Sequence, residues 1–419
     1  MSAAHGPAPE VSDPVADILR AAYYYALFDG HAEIDPALVL VAAARNDKTL
    51  ARPMLGAALA EALPRLAADV PAGAARQAGE AGPLLAANVS ADAAGQAEEA
   101  EPAATRVPAL REARWVVLRG NDEKLRAQGA TGAGPALPLW DREVAEALER
   151  AADEAASAGA PQLGVAALLL GLLRSEHPAV HSLAGTAGLD IAATTSALRE
   201  QCPWAPEEPY TPLTGLLAPA GITDQRIPLL IRWVPGVIRR FTTRHERLGP
   251  VLIVLELEIL RQTVITGHRS VQEAHLLLAI MSMREQLTAI GSGLAARYRQ
   301  RNQGDLILSR KGFDLRSAQL AAERLPPDDD VLTPADLLRR HVSTGGKIGD
   351  PSWTRPAAMA MEHAGDLARR HHHRDIGTTH LLAATLKDAD STASLLLGSL
   401  GIDAASLRDD LDQQLGTPP

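Results

Sequence analysis

The chain has 419 residues, a formal net charge of −10, 46% hydrophobic residues and only 3% aromatic ones. The hydrophobic share excludes wholesale disorder. The scarcity of rings and the abundance of Ala favour close-packed helices over a β-sandwich or barrel, whose pleated faces need β-branched and aromatic side chains. The acidic balance argues against a nucleic-acid partner, since phosphate-backbone binding needs a Lys/Arg face.

Read in chain order, the first helix carries Tyr23-Tyr24-Tyr25 and Phe28 on a face that reads as core, with partner binding as the alternative, and Gly30-His31-Ala32-Glu33-Ile34 follows it. Asp35-Pro36 is an N-cap with Pro at the first helical position, opening the apolar run Leu38-Val39-Leu40. These residues define a first, diverged repeat over 1–70. Residues 71–137 are rich in Ala, Gly, Glu and Pro and read as a flexible linker, with Arg114 to Leu118 as one apolar island. A second repeat, 138–202, runs through Gly159-Ala160-Pro161-Gln162-Leu163, Leu168-Leu169-Leu170 and Gly188-Leu189-Asp190-Ile191. Residues 203–226 form a Pro-rich linker.

The third repeat, 227–325, contains Gly267-His268-Arg269-Ser270-Val271, then His275-Leu276-Leu277-Leu278, and later Gly312-Phe313-Asp314-Leu315. Ser270 to Glu273 reads as a capping box. Leu255-Glu256-Leu257-Glu258-Ile259 alternates with period two, a strand signal. The equivalent stretches of the other repeats read as helical, so a helix is expected here too. An insertion lies around Arg299 to Arg310. After the break Pro326-Pro327-Asp328-Asp329-Asp330, the fourth repeat, 331–419, opens with Trp353-Thr354. It continues through His373-Arg374-Asp375-Ile376-Gly377-Thr378-Thr379-His380-Leu381-Leu382, with Thr378 as the expected cap of the His380 helix. Ala393, Leu396, Leu397 and Leu400 then mark one helix face, Gly401 its C-cap, and Asp403 the cap of a last helix bearing Leu407, Leu411 and Leu415. The pattern is complete three times and partial at the N-terminus, anchored at residues 31, 160, 268 and 373.

Chemistry-bearing motifs are missing. No Gly-x-x-x-x-Gly-Lys-[Ser/Thr] occurs; Gly345-Gly346-Lys347-Ile348 lacks the upstream glycine and the hydroxyl that holds magnesium. Gly291-Ser292-Gly293 is not a nucleophile elbow, and no His-Glu-x-x-His is present. The single cysteine, Cys202, can make neither an internal disulfide nor a thiolate zinc cage. His371, His372, His373 and His380 read as fold positions, and Pro178 between His177 and His181 marks a helix start. No catalytic residue, metal, cofactor or nucleotide is therefore expected. The stretch Pro250 to Leu260 is broken by Glu256 and Glu258 and is shorter than the ~20 residues a bilayer requires. With no basic and apolar leader after Met1, the expected location is the cytoplasm.

The repeat resembles that of the amino-terminal (Clp-N) domain of Clp-class unfoldases, especially the ClpC type. That repeat opens with Phe-Thr and runs through Gly-His-x-x-Ile-Gly-Thr-Glu-His-Leu-Leu to Leu-Gly-x-Asp. Trp353-Thr354, His373, Ile376 to Leu382 and Leu400-Gly401-Ile402-Asp403 match it. The resemblance implies an all-α fold of two double-repeat domains. It implies a bacterial, non-enzymatic protein- or peptide-binding module without the ATPase motor, acting as adaptor or decoy in Clp-dependent proteolysis. The implied partners are Clp substrates, adaptors, the unfoldase itself or inhibitory cyclic peptides. An oligomerising scaffold and an enzyme with an unrecognised site are the alternatives. The implied contact residues are Trp353, Thr354, Thr378, Thr379 and His380, with Ser270, Glu273 and His275 from the third repeat. Trp353 is either a ligand anchor or the plug of its own repeat. The carboxylate that binds phosphoarginine in the family is replaced by Thr379 and Ala274, with Glu273 one position early.

Overall fold

A short polar side chain followed by proline starts several helices. Ser12, Asp35 and Thr354 each accept a hydrogen bond from the backbone N–H three residues on, and Pro14, Pro36 and Pro356 fill the first turn. Proline costs nothing there because that N–H has no intrahelical partner. The computed structural model describes residues 10–56, 59, 107–130, 137–201, 207–218, 221–224, 249–333, 336–337, 342 and 346–416. Cys202 lies outside them. Among the described residues every element longer than two residues is a helix. None of these helices is long and apolar enough to cross a membrane. The chain divides into two units, Met1–Tyr210 and Thr211–Pro419.

The first unit contains α1 (Asp13–Asp29), α2 (Pro36–Asn46), α3 (Ala51–Leu55), α4 (Pro108–Gly120), α5 (Asp122–Ala130), α6 (Arg142–Ser157), α7 (Val165–Leu173), α8 (Pro178–Ala187) and α9 (Ile191–Gln201). α2 and α7 are apolar almost all round. Pro36 to Ala44 and Val165 to Leu173 are buried without interruption, as a central helix requires. α1 packs on α2, α6 on α7, and α2 and α7 on each other. One expectation is corrected here: residues 107–130 are not linker but α4 and α5. Pro108 starts α4, and its Leu110, Ala113, Val117 and Leu118 form a stripe buried against α1. The indole Nε1 of the buried Trp140 donates to the Leu110 carbonyl at 3.2 Å.

The second unit contains α10 (Thr214–Leu217), α11 (Pro250–Ile265), α12 (Glu273–Ala289), α13 (Ala296–Arg299), α14 (Gly304–Arg310), α15 (Leu315–Ala322), α16 (Arg355–Arg370), α17 (Thr378–Thr385), α18 (Thr392–Ser399) and α19 (Ala404–Gly416). α12 and α17 are its central helices. Each packs against the third helix of the other repeat, α12 on α18 and α17 on α14. The period-two stretch at 255–259 is helical, within α11. Its buried Glu258 accepts from Arg261, Gln262 and Ser282 at 2.9, 2.8 and 2.6 Å. Glu258 and Gln262 stand one helical turn apart and share a face, whereas Glu256, two positions from Glu258, lies on a different one, so the alternation does not mark a strand.

Among the described residues three parallel two-residue strand pairs form: β1 (Glu10–Val11) with β4 (Gln162–Leu163), β2 (Glu33–Ile34) with β3 (Leu139–Trp140), and β5 (Ser270–Val271) with β6 (Ser352–Trp353). In each pair the segment that opens one repeat lies beside the turn before the central helix of another. The described part of the Pro-rich linker is also ordered against the fold. Glu207 to Pro209 lies along Ser12, and Leu213, Leu217 and Ile222 are buried.

Candidate functional site

The eight predicted contact residues lie in the second unit at the starts of α12, α16 and α17, and all eight are buried; the strand pair sets Ser270 beside Trp353, while Thr378 and Thr379 bond to residues 301–304. Two of the expected caps are displaced. Ser270 is not the cap of α12: it lies in β5, where its hydroxyl donates to the Asp328 carbonyl at 3.1 Å. The N-cap is Gln272, whose backbone N–H donates to His275 Nδ1 at 2.9 Å. Likewise Thr378 is the first residue of α17, not its cap, and the Gly377 N–H donates to His380 Nδ1 at 3.1 Å. In both helices a histidine three residues along closes the turn with its ring, a task the sequence pattern assigns to Ser, Thr or Glu.

Accepting at Nδ1 leaves the proton of each imidazole on Nε2. His380 then donates to His373 Nδ1 at 2.7 Å. His275 Nε2 sits 3.1 Å from Thr266 Oγ1 and 3.2 Å from His268 Nδ1. Burial first, and the neighbouring His268, hold His275 well below the usual histidine range. Burial, then His373, Arg301 and His371, bring His380 down to about 4. Both rings are neutral at pH 7. Among the described residues no group of three His, Cys, Asp or Glu has the arrangement of a metal site.

The free backbone donors of a helix start suit an anion, but here the chain itself occupies them. The Thr378 N–H donates to Asn302 Oδ1 at 2.9 Å and the Thr379 N–H to the Arg301 carbonyl at 3.2 Å. In return, the Gln303 N–H donates to Thr379 Oγ1 and the Gly304 N–H to Thr378 Oγ1, at 3.0 and 3.2 Å. On the other side the Ala274 N–H donates to Thr392 Oγ1 at 3.2 Å, and that hydroxyl donates to Glu273 Oε2 at 2.8 Å. Each central helix is thus capped by the segment leading into the third helix of the other repeat. Glu273, beside the position of the family carboxylate, is consumed in this cap, and burial raises its pKa. Gly377 is required by contact: a Cβ there would collide with the Arg301 backbone.

Trp353 is fully buried in β6, as is Trp140 in the equivalent strand of the first unit. Thr354 is the N-cap of α16. Sequence reasoning missed Arg301, Asn302 and Thr392, whose partners lie more than 70 positions away. The insertion at 299–310 interrupts the third repeat where the Arg301 and Asn302 cap is built; nothing in the sequence marks Thr392. Replacing Asn302 by Ala should cost ~1–3 kcal/mol, because the Thr378 amide is left buried and unpaired. Asn302→Asp keeps the acceptor and should cost less, a ranking that urea denaturation of the full chain reads directly.

No curated protein matches the chain at a significant level. The family model described as the Clp repeat (R) N-terminal domain matches residues 352–419. That span starts at the opening strand β6 and covers α16 to α19. From the buried Trp353 through the His373–His380 pair to the last helix, the C-terminal segment is therefore a Clp-N repeat.

Proposed function

We propose that the protein is a non-enzymatic, cytoplasmic protein- or peptide-binding module of a Clp-dependent proteolysis system, acting as an adaptor or a decoy for the unfoldase. The observation that carries this reading is the Clp-N repeat at 352–419, a domain type that engages proteins in Clp systems. Its tight intramolecular capping supports binding at the outer rim of the repeat starts, with the eight buried residues holding that rim from beneath. No phosphate-loop motif supplies a motor, so isothermal calorimetry with ATP should give no heat of binding at micromolar affinity.

The role is tested by adding the purified chain to a ClpC-type unfoldase with its protease while they degrade labelled casein. An adaptor accelerates degradation, and a decoy slows it in proportion to its concentration. Unchanged degradation at a tenfold excess of the chain contradicts both.

A further inference from the structure

The chain lays its own extended segments against two repeat-opening strands. In the second unit Val331 pairs antiparallel with Thr354, next to β6. The Leu332 N–H donates to the Trp353 carbonyl and the Arg355 N–H to the Asp330 carbonyl, both at 2.7 Å. The Arg355 guanidinium also reaches the Asp330 carboxylate at 3.0 Å. In the first unit Pro209 pairs antiparallel with Ser12, next to β1, and the Asp13 N–H donates to the Glu208 carbonyl at 2.9 Å. The two occupants, Asp330-Val331-Leu332 and Glu208-Pro209-Tyr210, share one chemistry: an acid, then a conformationally stiff residue, then a bulky apolar one.

The opening strand β3 of the first unit has the same construction and no such occupant among the described residues. The amides of Leu139 and Asp141 donate to the Ala32 and Ile34 carbonyls of the β2 side. By strand alternation the Trp140 carbonyl and the Arg142 amide point the other way. Those are the two groups that the occupant satisfies on β6. Arg142 stands where Arg355 does, as the first residue of its helix; its side chain is 75% exposed and its Nε donates to Glu146 Oε1 at 2.7 Å, a surface pair that a peptide carboxylate would have to share or replace. Leu137 and Leu139, 40% and 47% exposed, flank the edge.

We propose that the β3 edge is a peptide-binding site that takes an extended segment of the type acid, Val or Pro, then Leu or Tyr, by antiparallel strand addition. The carbonyl of the peptide's acidic residue accepts from the Arg142 amide, and its carboxylate pairs with the Arg142 guanidinium. The amide of its apolar residue donates to the Trp140 carbonyl. Main-chain bonds supply the affinity and the Arg–carboxylate pair the selectivity. This site deepens the protein-binding reading and rests on it.

The test is fluorescence anisotropy of the full chain with a labelled peptide copying residues 328–333. Saturable binding with one peptide per chain is expected. Arg142→Gln, which removes only the charge, should weaken it severalfold. Arg142→Pro, which also removes the amide at a position where proline suits the helix, should weaken it by more than about tenfold, the equivalent of a lost hydrogen bond with its partner left unpaired. Methylating the peptide amide that copies Leu332 should have a similar effect on the unmodified protein, a readout that does not depend on any variant folding. No binding to the folded wild-type chain overturns the proposal, and so does binding indifferent to both the N-methyl peptide and Arg142→Pro. Either result leaves the degradation assay free to support or reject the broader protein-binding role.

Discussion

Trp353→Ala should destabilise the second unit by about 3–5 kcal/mol, the cost of removing a fully buried aromatic side chain. The ring is wholly inaccessible in β6, in the strand pair with β5. Its loss would leave a cavity behind the starts of α12 and α16. Hydrogen exchange of the α12 and α17 amides in the full chain reads the effect within that unit, apart from the other tryptophans. Faster exchange in both helices is expected. Unchanged exchange with loss of partner binding would instead make Trp353 a ligand anchor and contradict its burial.

Acid should loosen the same unit well before carboxylates protonate. In the unfolded chain a histidine takes its proton near pH 6.5, whereas native His380 does so only near 4. The depressed value means that the native state is favoured while the ring is neutral. The contribution is complete above about pH 6.5 and is lost as the pH falls toward 4. For His380 alone the shift corresponds to about 3 kcal/mol. His275, also lowered, acts in the same direction. The charged and titratable groups facing His380 are His373, Arg301 and His371, all of which disfavour a second positive charge; His268 does the same for His275. Glu273, with its raised pKa, works against this trend from the start of α12. Urea denaturation at pH 7.5 and at pH 4.5 should show the loss, and His380→Asn, which keeps an acceptor for the Gly377 amide, should flatten the slope. A stability independent of pH across that range would contradict the neutral, buried imidazole.

Much of the helical framework was legible because it is written in short-range chemistry. Asp35-Pro36 caps α2 as its sequence predicts, with the Leu38 N–H donating to Asp35 Oδ1 at 2.8 Å. Gly401 takes the positive φ of 72° that its place after α18 requires. Glu256 and Glu258 sit in a helix that Pro250 starts and whose residues are buried on most sides, Glu258 being held by Arg261, Gln262 and Ser282, so five residues of alternation do not make a strand. The rest depends on tertiary partners. Ser270 and Thr378 look like caps, but each meets an acceptor or donor brought from far along the chain, Asp328 for one and Asn302 and Gly304 for the other. The burial of Trp353, and the stripe of Leu110, Ala113, Val117 and Leu118 within an apparent linker, follow from what packs against them. Neither can be read from the residues alone.

The most direct measurement is the binding of the full chain, without nucleotide, to a labelled and permanently unfolded protein such as reduced, carboxymethylated α-lactalbumin. Saturable binding that is indifferent to added ATP is the result the proposed protein-binding role predicts. Failure to bind at concentrations of the chain up to hundreds of micromolar, or binding that appears only with ATP, would contradict it.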